Sequence, residues 1–138
     1  IGTAGNGSEV HGDMTSDERL KEISSESFPY GLSEVNKLVP IKYKFKTSPH
    51  NRNRLGFGAQ TTQPIIPEVV RDTNICIHGY DQVQEKDELT GKETGVLKSV
   101  AKGDESETKL TMQYNQIIPV LVKAVQELSA KVTALENA

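Results

Sequence analysis

The sequence predicts a small mixed α+β domain, and three observations carry that reading. From Ile41 to Lys46 apolar and basic residues alternate without a break, Ile41, Tyr43 and Phe45 on one face and Lys42, Lys44 and Lys46 on the other, which is the period of a half-buried strand. At the far end Ile118, Val125 and Val132 alternate with Leu121, Leu128 and Leu135 at the a and d positions of three heptads, the period of a long helix with an apolar seam. Composition is the third: 138 residues with 35% hydrophobic and 25% charged side chains can hold one modest core. Aromatics make up only 5% and tryptophan is absent, so a lone monomer is short of apolar surface to bury, and oligomerisation is the expected remedy.

Taken in order, residues 1–14 carry four glycines and little apolar content, the composition of an extended tail or of the last turn of a preceding fibre. The chain opens on Ile1 without a basic-then-apolar leader, which suggests the tail of a longer polypeptide rather than a secreted whole. His11 and Asp13 lie two apart with no third ligand nearby, so exposure to solvent and no metal is expected. Thr15-x-x-Glu18 reads as a capping box, with Ser16 and Asp17 in the first turn of a short helix. Phe28-Pro29-Tyr30-Gly31 is a turn, and Leu32, Val35 and Leu38 follow at helical spacing, closed by Pro40. After the 41–46 strand and a polar turn over 48–53, Leu55, Phe57 and Ala59 read as a second strand, whose Gly56 and Gly58 permit close backbone approach.

Pro64 and Pro67 make 61–72 a connection ending in a short helix or turn, and Asn74 to Ile77 a further strand. Between Asp81 and Thr108, 12 of 28 residues are charged and few are apolar, so the segment is either a disordered loop or a set of projecting hairpins. The terminal helix should begin between Asn115 and Ile118, because Pro119 is tolerated only in a first turn. Ile117, Val120 and Val122 widen its apolar face early, which predicts packing on its own domain before a narrow seam is exposed. By heptad composition alone, β-branched a with leucine d favours two strands.

Charge and cysteine content exclude several functions. A net charge of -3 and a pI near 5.6 offer no broad attraction for nucleic acid or an anionic membrane, and no apolar run of 18 residues exists to span one. The lysine row at 42, 44 and 46 reads as a solvated face or a guarded strand edge. Cys76, the single cysteine, sits in apolar Asn74-Ile75-Cys76-Ile77, a setting for a buried structural thiol. No cofactor is expected.

The chemistry on offer is in Thr15-Ser16-Asp17-Glu18-Arg19-Leu20-Lys21, where a hydroxyl and an amine stand five residues apart. A lysine serves as a base only where desolvation lowers its pKa, against a charge-solvation cost of about 1.36 kcal/mol per unit. On an ideal helix an offset of five leaves the two side chains about 140° apart, and on a strand it puts them on opposite faces. A working pair therefore needs irregular backbone, or a lysine from a neighbouring subunit.

Ser16-Asp17-Glu18-Arg19-Leu20-Lys21 resembles the opening motif of the self-cleaving intramolecular chaperone domain that ends many phage tailspikes and tail fibres, endosialidases among them. Further pieces follow in the same order: Gly31-Leu32 to Leu38-Val39-Pro40, Ile41 to Lys46, Arg54-Leu55-Gly56-Phe57-Gly58-Ala59-Gln60, and Tyr114-Asn115-Gln116-Ile117-Ile118-Pro119 leading into the heptads. The resemblance implies a division into residues 1–15, the end of an upstream fibre or a linker, and 16–138, a chaperone and autoprocessing domain. It also implies a catalytic Ser16–Lys21 dyad, a cut between Ser16 and Asp17, a projecting hairpin arm, and a homotrimer joined by a helical bundle with its seam at Ile118, Leu121, Val125, Leu128, Val132 and Leu135. The expected partner is the upstream fibre of the same polypeptide, folded in the host cytoplasm and parted from the domain by the cut. The sequence departs from the family pattern at Thr61, where relatives often carry an acidic residue, and at Glu22-Ile23-Ser24, where they often continue Glu-Asn-Ile. A non-cleaving trimer tip or receptor-binding module on the same fold is the alternative.

Overall fold

The computed structural model describes residues 14–138; the expected metal-free His11/Asp13 pair and all of the predicted linker except Met14 and Thr15 lie outside the described residues. The fold is α+β, built from short antiparallel strand pairs and one long C-terminal helix. Strand β1 (Pro40–Tyr43) pairs with β2 (Arg54–Phe57), Ile41 opposite Gly56. Strand β3 (Val70–Cys76) pairs with β6 (Thr108–Met112), and the hairpin of β4 (Tyr80–Lys86) and β5 (Glu93–Ala101) is inserted between them. The charged segment is thus a hairpin arm, the second of the two forms open to it. Its strands pair with each other and its side chains stay largely exposed.

The core is small: Ile66, Val69, Ile117 and Val120 are buried together, flanked by Tyr30, Val35, Leu38, Phe57 and Met112. Each fully buried aliphatic side chain contributes about 1.5–3 kcal/mol, so a cluster of four is a small core for a chain of this length. Two of the four come from helix α3 (Ile117–Glu136), entered through a 3-10 turn over Tyr114–Gln116. Pro119 falls in its first turn, as expected. Ile117, Val120 and Ala124 face the domain, whereas Val122 is exposed, a correction to the predicted face. At 3.6 residues per turn, Val122 is turned about 160° from Val120, away from the core. Helix α1 (Leu32–Val35) packs on α3, and the Leu32 N–H donates to Glu127 Oε1 at 2.9 Å. A Cβ on Gly31 would collide with that carboxylate, so another residue there would push the Glu127 side chain aside.

Other expectations need adjusting. The strand from Ile41 stops at Tyr43 and is not half-buried, since Ile41 and Phe45 are exposed. With β2 as its one paired neighbour among the described residues, its apolar face is left partly uncovered by them. Ala59 opens helix α2 (Ala59–Thr62) instead of continuing β2. The thiol of Cys76 is buried and donates to the Asp104 carbonyl, as a structural cysteine would.

The Tyr30 hydroxyl donates to Glu68 and ties the 28–31 turn to the 3-10 turn Pro67–Val69 that delivers Val69 to the core. That hydrogen bond, aided by desolvation and by the charges of Glu68 and Glu34, pushes the phenol up to about 12. A raised folded-state pKa stabilises the fold fully below the ordinary tyrosine value of 10.0 and is lost as pH climbs to about 12. Spectrophotometric titration should find the Tyr30 phenol ionising near pH 12, and Glu68→Ala, which removes the acceptor and its charge, should bring it down.

Candidate functional site

Residues 14–29 are exposed along their whole length, and the side chains of Ser16, Asp17, Arg19 and Lys21 are placed by hydrogen bonds within that stretch. Asp17, extended at φ -65 and ψ 123, caps a 3-10 turn over Glu18–Leu20. Its carboxylate accepts the Arg19 N–H at 2.9 Å and the Arg19 guanidinium at 3.0 and 2.7 Å. The cap is therefore Asp17, not Thr15. A carboxylate reaches a backbone N–H two residues on without a full α-turn, and the planar guanidinium fixes it from the other side. The side-chain bond to Arg19 is the main reason the Asp17 carboxyl lies below its ordinary range, with the Arg19 backbone N–H adding to it.

The turn ends when the Lys21 N–H reaches the Glu18 carbonyl at 3.1 Å, and Lys21 leaves it extended at φ -113 and ψ 139. Extended, 3-10 and extended backbone in succession bend the chain back on itself. The result is a hydrogen bond from Lys21 Nζ to Ser16 Oγ at 2.7 Å. This is the irregular-backbone route to bringing the pair together. Asp17, which the sequence places close to Lys21, is engaged by Arg19 instead. Both Ser16 and Lys21 are exposed, and apolar neighbours stand uncovered beside them, Leu20 at 75% and Ile23 at 67%.

Two residues without a role in the sequence reading shape this stretch. Arg19 is one. The other is Asn115 in the 3-10 turn before α3, whose Nδ2 lies 3.6 Å from Met14 Sδ. Its neighbour Tyr114 accepts the Phe57 N–H at 3.2 Å, and a Cβ on Gly56 would stand 2.5 Å from that phenol oxygen, so the Gly56-Phe57 and Tyr114-Asn115 motifs lock together. Their joint presence in the sequence was the available signal. Thr61 lies exposed on α2. The seam residues Ile118, Leu121, Val125, Leu128, Val132 and Leu135 are all exposed, from 44% at Leu121 to 76% at Leu135. Among the described residues no cluster of His, Cys, Asp and Glu could hold a metal, and no helix is long and apolar enough to cross a membrane.

A family model described as chaperone of endosialidase, and named as a peptidase family, matches residues 16–71. The match opens on Ser16 and runs through α1 and the β1–β2 pair into β3, and is consistent with an endosialidase-type chaperone domain. It supports an intramolecular chaperone in a phage-tail setting, with a peptidase name that suits a serine-type autoprotease. The curated proteins contain no match to the chain.

Proposed function

We propose that residues 16–138 are a C-terminal intramolecular chaperone that trimerises, folds an upstream phage tail fibre or tailspike, and frees itself by serine-lysine autoproteolysis beside Ser16. The observation that carries this reading is the 2.7 Å hydrogen bond between Lys21 Nζ and Ser16 Oγ at the first residues of the family match. A hydroxyl held against an amine is an arrangement through which a proton can pass to a general base.

The bond cut is Ser16–Asp17. Attack of Ser16 Oγ on the carbonyl of its own residue would close a strained four-membered ring, so water is the attacking group. Its oxygen adds to the Ser16 carbonyl carbon while its proton passes through the Ser16 hydroxyl to the neutral Lys21 amine. Collapse of the tetrahedral adduct breaks the C–N bond, and the Lys21 ammonium returns the proton to the departing Asp17 nitrogen. A free carboxylate on Ser16 and an amine on Asp17 remain.

The exposure of Lys21, Leu20 and Ile23 among the described residues supports assembly as a precondition, with a neighbouring subunit desolvating the amine. The exposed heptad face of α3 supplies the contact. Three heptads are short, and the rest of the domain overrides their intrinsic preference for two strands in favour of the trimer. The β4–β5 arm provides the reach for gripping the fibre, which folds in the host cytoplasm and keeps no chaperone after the cut.

The test is the intact mass and new N-terminus of the chain expressed with its upstream fibre. A released segment running from Asp17 to Ala138 is the expected product. A new end at Ser16 would move the chemistry to the Thr15 carbonyl, by an acyl shift from nitrogen to the serine oxygen. An uncut chain would make the domain a non-cleaving trimer tip.

A further inference from the structure

Residues 14–30 form a loop whose two ends are pinned at the start of α3. At the near end Met14 meets the Asn115 amide. At the far end Phe28, Pro29 and Tyr30 share a small cavity with Gln116, Pro119 and Val120. Every other hydrogen bond that residues 14–29 make stays within the stretch itself, among the described residues. Asn115 is itself held firmly: its 3-10 turn is closed by Gln116 N–H to the Gln113 carbonyl at 3.0 Å, and Tyr114 is clamped to the Phe57 backbone.

We infer that Asn115 is a positioning residue for self-cleavage, a clasp that fixes where the chain enters the Ser16–Lys21 turn. The inference rests on the proteolytic reading above. Met14 stands two residues before Ser16, so its placement sets the path of the Ser16 carbonyl. A thioether is a weak acceptor, and the contact matters through geometry more than strength, since a misplacement of about 1 Å can cost on the order of 100-fold in rate. The clasp also makes the cut conditional on α3, because Asn115 takes its position only when the helix start has docked.

The experiment uses the full chain with its upstream fibre. Asn115→Ala should slow self-cleavage by about tenfold, Asn115→Gln should restore part of the rate, and Met14→Ala should slow it similarly. The double variant should be no slower than the slower single one, because both remove one contact. In uncut Ser16→Ala chains, methyl NMR of the two methionines provides a second reading. Asn115→Ala should move the Met14 resonance toward its unfolded position and leave Met112, packed against the core, in place. An unmoved Met14 resonance, additive rates in the double variant, or wild-type cleavage by Asn115→Ala would overturn the inference. If no chain cleaves and the Met14 resonance still moves, the proteolytic reading fails and the contact stands.

Discussion

With Lys21 replaced by alanine, the full chain folds, assembles and stays whole. Positioned proton transfer contributes about 10²- to 10⁴-fold, and in a reaction that each chain performs once, a loss of that size leaves no product on a gel within the time the wild type needs to finish. Lys21→Arg should fail equally. It preserves the cation and its donors to Ser16 Oγ, but a guanidinium stays protonated and cannot accept a proton. Ser16→Ala should also block the cut, because the proton path runs through its hydroxyl. None of these changes should lower thermal stability appreciably, since both side chains are exposed and outside the core. An uncut chain with unchanged melting and size separates lost chemistry from lost folding. Normal cleavage in Lys21→Arg would show that the lysine is not the base.

The second large effect is expected at the other end of the chain. Aspartate at both Leu121 and Leu128 places two carboxylates in the heptad seam, where an unpaired buried charge costs on the order of several kcal/mol. Both positions are nearly half exposed in the single chain and lie outside the buried core, so the monomer should still fold. Light scattering should give a monomer, and a gel should show no cut even though Ser16 and Lys21 are intact. A monomer that cuts itself at the wild-type rate would place the whole reaction within one chain and remove assembly from its control.

Much of this architecture was legible because periodicity survives without context. The heptads fixed the extent of α3 to within two residues, and the Ile41–Tyr43 alternation and the Phe57 neighbourhood marked the first strand pair. What failed were details decided by a neighbour. Thr15 and Asp17 are both good caps, and only Arg19's bidentate grip selects Asp17. Ala59 fits a strand or a helix equally well, and the Thr62 hydroxyl donating to the Gly58 carbonyl at 2.8 Å accompanies the helical turn. The side to which Val122 points follows from where Ile66 and Val69 lie, about 50 residues earlier in the chain. At the site, the resemblance implied the Ser16–Lys21 pair, and spacing on regular structure argued against its meeting, because successive changes of backbone conformation leave no periodic trace. Asn115 was visible only as one letter of a motif.

The placement of the arm has a consequence for how such domains diversify. Since β3 and β6 are paired with each other, the chain ends that enter and leave the β4–β5 hairpin are already held together by the body of the domain. Closing a longer loop between fixed ends costs only about 0.6 kcal/mol per doubling of its length. The arm can be lengthened, shortened or recoded with almost no penalty to the core that carries it, so on the proposed reading it could be refitted to a different fibre with the Ser16–Lys21 turn and α3 left as they are.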